Sequence, residues 1–144
     1  LRELDLYGNS VRLVHHKINN LLEIDTLNLG YNRLSTVPED MFLLPKLVSV
    51  DLSDNRLEKL PQKIDGTSQI KVLNISNNYL SDLTEASKYL PMISYLDIRS
   101  NQLKHLPRSI ELLSRLTEFH HEHDDSDMNH TCKLKRFTPH ISRC

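Results

Sequence analysis

The stretch LVSVDLSDNRL, residues 47–57, places aliphatic side chains at Leu47, Val50, Leu52 and Leu57 and an asparagine at Asn55. Its centre alternates with period two, so Val50 and Leu52 face one side of a short strand while Ser49, Asp51 and Ser53 face the other. Stepping outward by 23 residues finds the same arrangement: LRELDLYGNSV from residue 1, IDTLNLGYNRL from 24, IKVLNISNNYL from 70 and ISYLDIRSNQL from 93. The shared pattern is L-x-x-L-x-L-x-x-N-x-L, with Asn9, Asn32, Asn55, Asn78 and Asn101 in phase. Five copies at one spacing are an internal repeat.

One such strand cannot bury its apolar side alone. Successive units must stack, with their strands paired in parallel and the intervening chain returning behind them. The asparagines form a structural ladder at the corner after each strand, because an amide both donates to and accepts from backbone groups that leave the strand ladder in the interior. The second half of the unit agrees. Val37-Pro38 leads to Met41, Leu44 and Leu47; Leu60-Pro61 leads to Ile64 and Ile70; Leu106-Pro107 leads to Ile110, Leu113 and Leu116. Val14-His15 and Leu83-Thr84 stand where Leu-Pro is expected.

These residues resemble the leucine-rich repeat family over residues 1 to about 124, and the L-P-x-x-I-x-x-L return is similar to the intracellular, Ras-group style. The resemblance implies an α/β solenoid: a curved right-handed superhelix with a parallel β-sheet on the concave face and short helical or extended returns on the convex face. Residues 1–124 are read as five repeats plus one degenerate unit, and 125–144 as a non-repeat tail or broken cap. It also implies a cytoplasmic adaptor or regulatory scaffold that binds a protein. Two alternatives are a sensing module of a larger kinase, phosphatase or ubiquitin ligase, and a piece of an extracellular receptor. The start at Leu1, inside a repeat, is read as the start of a fragment with its first strand uncovered.

Composition narrows the function classes. A formal net charge of -1 gives no electrostatic case for nucleic acid. No apolar run is long enough for a membrane span. The 3 glycines cannot build a phosphate-cradling loop, and no serine or cysteine sits in a nucleophile motif, so catalysis is not expected and no cofactor is assigned. Cys132 and Cys144 are the 2 cysteines, which favours a reducing compartment over a disulfide-stapled scaffold. Asn74-Ile75-Ser76 and Asn129-His130-Thr131 match the glycosylation acceptor pattern without further support.

Function is therefore sought on the outward side of the strands. One ladder there reads Glu3, Thr26, Ser49, Val72, Tyr95 and Glu118, and no backbone requirement fixes its side chains. The next, Asp5, Asn28, Asp51, Asn74, Asp97 and His120, is read chiefly as structural. Tyr and Arg are common interface anchors, so Tyr95 and Arg99 are taken as central, with Val72 and Asp97 beside them and Tyr31 and Glu3 toward the other end. The acids are expected to steer basic segments of a protein partner.

FHHEHDDSD, residues 119–127, invites a metal site. The period argues otherwise: Leu116, Phe119, His121 and Asp124 fall at the repeat positions, a terminal unit losing its pattern. Alternation then sends His120 and Glu122 to one side and His121 and His123 to the other. Asp125-x-Asp127-x-Asn129 starts like a calcium loop, but His130 and Arg136 occupy the positions of its glycine and bidentate glutamate.

Overall fold

A computed structural model describes residues 1–62, 64, 66, 68–104, 106, 108–121 and 131–133. Among these residues seven three-residue strands form one sheet in chain order: β1 (Glu3–Asp5), β2 (Thr26–Asn28), β3 (Ser49–Asp51), β4 (Val72–Asn74), β5 (Tyr95–Asp97), β6 (Glu118–His120) and β7 (Thr131–Lys133). The first six are parallel, and their register follows the repeat, with Leu4, Leu27, Val50, Leu73, Leu96 and Phe119 aligned across the sheet. Backbone bonds continue beyond each strand: Leu29 N–H donates to Asp51 O at 2.8 Å and Leu52 N–H to Asn74 O at 2.8 Å. Stacking units by one fixed rise thus extends pairing into the following corner.

The core is the set of inward aliphatics from strands and returns. Leu27, Leu29, Val50, Leu52, Leu73 and Ile75 are all buried, together with Leu34, Leu57 and Leu80 that follow each asparagine. Among the described residues the returns carry short elements: a 3-10 turn at His16–Asn20, helix α1 (Glu39–Phe42), helix α2 (Ala86–Tyr89) and a 3-10 turn at Arg108–Leu112. The second and fourth units meet on this side. The Phe42 ring packs edge-on against Tyr89 at 5.6 Å, and the Tyr89 hydroxyl donates to Pro61 O at 2.8 Å. Ser68 N–H donates to Tyr89 O at 2.9 Å, tying the third unit to α2. At Leu83-Thr84, where proline is missing, Asp82 Oδ1 instead accepts the Thr84 N–H at 2.8 Å and its hydroxyl at 2.6 Å.

The sheet departs from an all-parallel arrangement at its end. β7 runs antiparallel to β6, pairing Phe119 with Cys132 and His120 with Thr131. Residues 121–130 separate these strands, a connection shorter than the dozen or more residues a parallel crossover needs, so direction reverses. At the other end Leu1 lies outside β1 and is 70% exposed, while Leu4 and Leu6 are half-buried.

Candidate functional site

Four of the corner asparagines, Asn32, Asn55, Asn78 and Asn101, each join two repeats. Asn55 Nδ2 donates to Leu52 O and Ser53 O in its own unit at 3.1 and 3.0 Å and to Leu29 O of the preceding unit at 2.9 Å. Its Oδ1 accepts the Leu34 N–H at 2.9 Å. Asn32, Asn78 and Asn101 repeat this set of bonds. Asn9 donates to Leu6 O and Tyr7 O within its own unit. The asparagines belong to the scaffold and frame the outward strand face.

The acidic and amide ladder on that face has a structural duty as well. Asp5, Asn28, Asp51, Asn74 and Asp97 each accept, through Oδ1, the N–H two residues on, at 2.8 to 3.1 Å. This bond turns the chain out of the strand, which is why short Asx side chains recur there. Asn74 also accepts the Ser76 hydroxyl and donates to Asp51 Oδ2 at 3.4 Å, so this sequon asparagine is engaged within the sheet. Asn129 and its sequon lie outside the described residues.

Glu3, Thr26, Ser49, Val72, Tyr95 and Glu118 pair consecutively across β1 to β6. Val72 and Tyr95 are thus strand neighbours, both partly exposed. The Tyr95 ring lies 5.1 Å from that of His120, whose Nε2 is 2.9 Å from Glu118 Oε1. Burial raises the Tyr95 phenol above its ordinary value, and the Asp97 charge adds to the rise. Arg99 is held down on Asp97: Nε lies 3.1 and 3.2 Å from the two carboxylate oxygens, and Nη2 is 2.6 Å from Oδ2. Asp97 is 2% exposed. Val72, Tyr95, Asp97 and Arg99 therefore share one region, but Arg99 serves the fold there as an internal counterion.

Glu3 and Tyr31 stand at the opposite end, on β1 and just after β2. There the structure brings in a residue that was not singled out, Tyr7, whose ring stacks on Tyr31 at 5.9 Å. The available signal was Gly30. It occupies the ladder position filled by Tyr7, Ser53, Ser76 and Arg99 in other units, so it leaves room for a neighbour's ring.

The histidines divide between the two sides. Both are buried, but His120 faces Tyr95, whereas His121 stacks on Phe119 at 4.8 Å in the place of the second core aliphatic. Among the described residues no three His, Cys, Asp or Glu side chains gather as a metal site. His123, the acids of 124–127 and Cys144 lie outside them. No described helix is long and apolar enough to cross a membrane.

Residues 45–103 match the family model described as leucine rich repeat. No curated protein matches the chain. Among solved structures, an internalin (InlF) from Listeria monocytogenes superposes with TM-score 0.66 at 18% identity, covering 83% of this chain and 34% of that one. An LRR protein of Leptospira interrogans gives 0.57 at 24%, covering 81% and 36%. The leucine-rich repeat domain of APL1B gives 0.58 at 21%, covering 83% and 42%. The chain thus spans between a third and a little over two fifths of those structures' lengths, and at these identities the likeness carries the fold alone. Internal period, sheet register and the match over residues 45–103 agree that the described residues fold as a leucine-rich repeat solenoid.

Proposed function

We propose that the chain is a protein-binding module whose outward strand face, concave in a curved stack, receives the partner. The observation that carries this reading is the ladder from Glu3 to Glu118: its side chains leave the asparagine and Asx bonds to others and stand partly or fully exposed along six paired strands. Freed from holding the backbone, they are available to encode recognition. Open sheet geometry suits a surface contact better than the enclosed pocket catalysis requires. An adaptor or regulatory scaffold of the intracellular, Ras-group kind, working in the cytoplasm, is part of the same proposal. It is supported by the Leu-Pro returns and by a repeat core that closes without cysteine up to residue 131.

The test is partner capture with Val72→Asp and Tyr95→Ala, singly and together, each checked for an unchanged melt. Loss of the partner with an intact fold supports the face. Undiminished capture by the double variant removes it. Arg99→Ala is unsuitable for this purpose, because it strands Asp97.

A further inference from the structure

At the β1–β3 end the face holds an exposed aromatic pair set among acids. Tyr7 and Tyr31 are 56% and 62% exposed and stack with their planes 26° apart. Gly30 makes the arrangement possible. A Cβ there would meet Tyr7 Cδ2 at 3.1 Å, Asp51 Oδ1 at 3.2 Å and Ser53 Oγ at 3.2 Å, so the Tyr7 ring and the Asp51 carboxylate crowd the same small space. The outward ladders of β1–β3 contain Glu3, Asp5, Asp51 and Asp54 and no basic side chain, while the exposed Arg33 and Arg56 follow the corner asparagines.

Tyr31 also occupies an unfavourable backbone conformation. Its φ is 53°, in a ladder whose other members are Gly8, Asp54, Asn77 and Ser100. Glycine and short polar residues adopt the left-handed region readily, but a tyrosine there is strained and gains no local side-chain bond in exchange. Strain retained at an exposed aromatic points from structure toward use.

We infer that Tyr7 and Tyr31 form a platform for an arginine of an extended, basic segment in the protein partner, with the surrounding carboxylates as its counterions. This rests on the strand-face reading and names the class of partner. Guanidinium is planar, lies flat on tyrosine and offers forked donors to a carboxylate; phosphate, by contrast, is repelled here. The platform lies at the opposite end of the strand row from Tyr95, roughly 19 Å away at about 4.8 Å per strand, a distance that about six extended residues span. One segment thus reaches both ends.

The probe is the peptide acetyl-Gly-Arg-Gly-Arg-Gly-amide, titrated against the full 144-residue chain while the tyrosine ring resonances are followed. Saturable shifts of Tyr7 and Tyr31 are expected, declining with salt and absent with the citrulline analogue. Removing the cation–ring contact by Tyr31→Asn weakens binding about fivefold, as does Tyr7→Ala. Tyr31→Asn also melts no lower than the parent, which separates lost recognition from lost folding. Gly30→Ala, which keeps both tyrosines but displaces the Tyr7 ring, weakens binding too. Equal binding of the citrulline peptide, or full affinity in Tyr31→Asn, overturns the platform. Shifts confined to Tyr95 and His120 overturn it and leave the strand-face reading standing; a peptide that moves no strand-face resonance counts against both.

Discussion

Replacing Asn55 by Ala removes a side chain that joins two repeats in four hydrogen bonds. The Leu34 N–H, inside the corner, loses its acceptor at 2.9 Å, and the carbonyls of Leu29, Leu52 and Ser53 lose a shared donor. Leaving one buried donor unsatisfied costs about 1 to 3 kcal/mol, and weakened carbonyls add to it, so a loss of roughly 2 to 4 kcal/mol is expected. Asn9 provides the internal control. Its two bonds are confined to its own unit and exposed, so Asn9→Ala is expected to cost less than about 1 kcal/mol. Asn55→Asp keeps the acceptor for Leu34 but sets a buried carboxylate oxygen against the carbonyls of Leu29, Leu52 and Ser53, so it is expected to cost at least as much as Asn55→Ala. Urea denaturation measures all three as shifts in midpoint at constant slope. Equal losses for Asn9→Ala and Asn55→Ala would refute the inter-repeat role, because the two differ chiefly in the bonds that cross between units.

Arg99→Ala is expected to destabilise by about 2 kcal/mol, since it leaves the Asp97 carboxylate buried without its counterion; the partial exposure of the guanidinium keeps the loss below that of a fully buried pair. Asp97→Asn combined with Arg99→Ala should recover part of it, read from the same denaturation curves. Tyr89→Phe removes the bond to Pro61 O and is expected to cost about 1 kcal/mol. Burial also raises the Tyr89 phenol above its ordinary 10.0, so the unfolded chain releases this proton first and stability falls as pH rises past that value. Melts between pH 9 and about 11 should show a shallower decline in Tyr89→Phe than in the parent. Ala86→Val, at a small apolar void of about 20 Å3 bordered by Leu60, Leu90 and Ile110, is expected to raise stability by about 1 kcal/mol; a lower midpoint would show that the layer is already full.

The fold was legible where a residue's duty recurs in every unit. Leu27, Val50 and Leu73 repeat because each fills the same layer of the stack, and counting by 23 residues places them opposite one another in the sheet. The same count turned His121 into a core position, where it packs on Phe119. Features that break the repeat were harder to read. β7 has no counterpart elsewhere in the chain, and its pairing depends on direction as well as composition. Tyr89 contacts Phe42 although a whole unit separates them in sequence, a pairing that a count by 23 does not show.

The site was legible in part for the same reason. The ladders showed that Val72 and Tyr95 adjoin, but not that Arg99 would turn back onto Asp97, because a long side chain's direction is chosen by its local partner. Tyr7 was passed over since its significance rests on what is absent at Gly30, one unit along.

The central claim, that recognition occurs on the strand face, is tested most directly by site-specific photo-crosslinking in cells that express the protein. Benzoylphenylalanine at Thr26 or Ser49 samples the outward strand ladder, and at Lys46 or Gln69 it samples the exposed return side. Crosslinks to one protein partner from Thr26 and Ser49, with none from Lys46 and Gln69, are the predicted result; crosslinks to that partner chiefly from Lys46 and Gln69 would contradict the account.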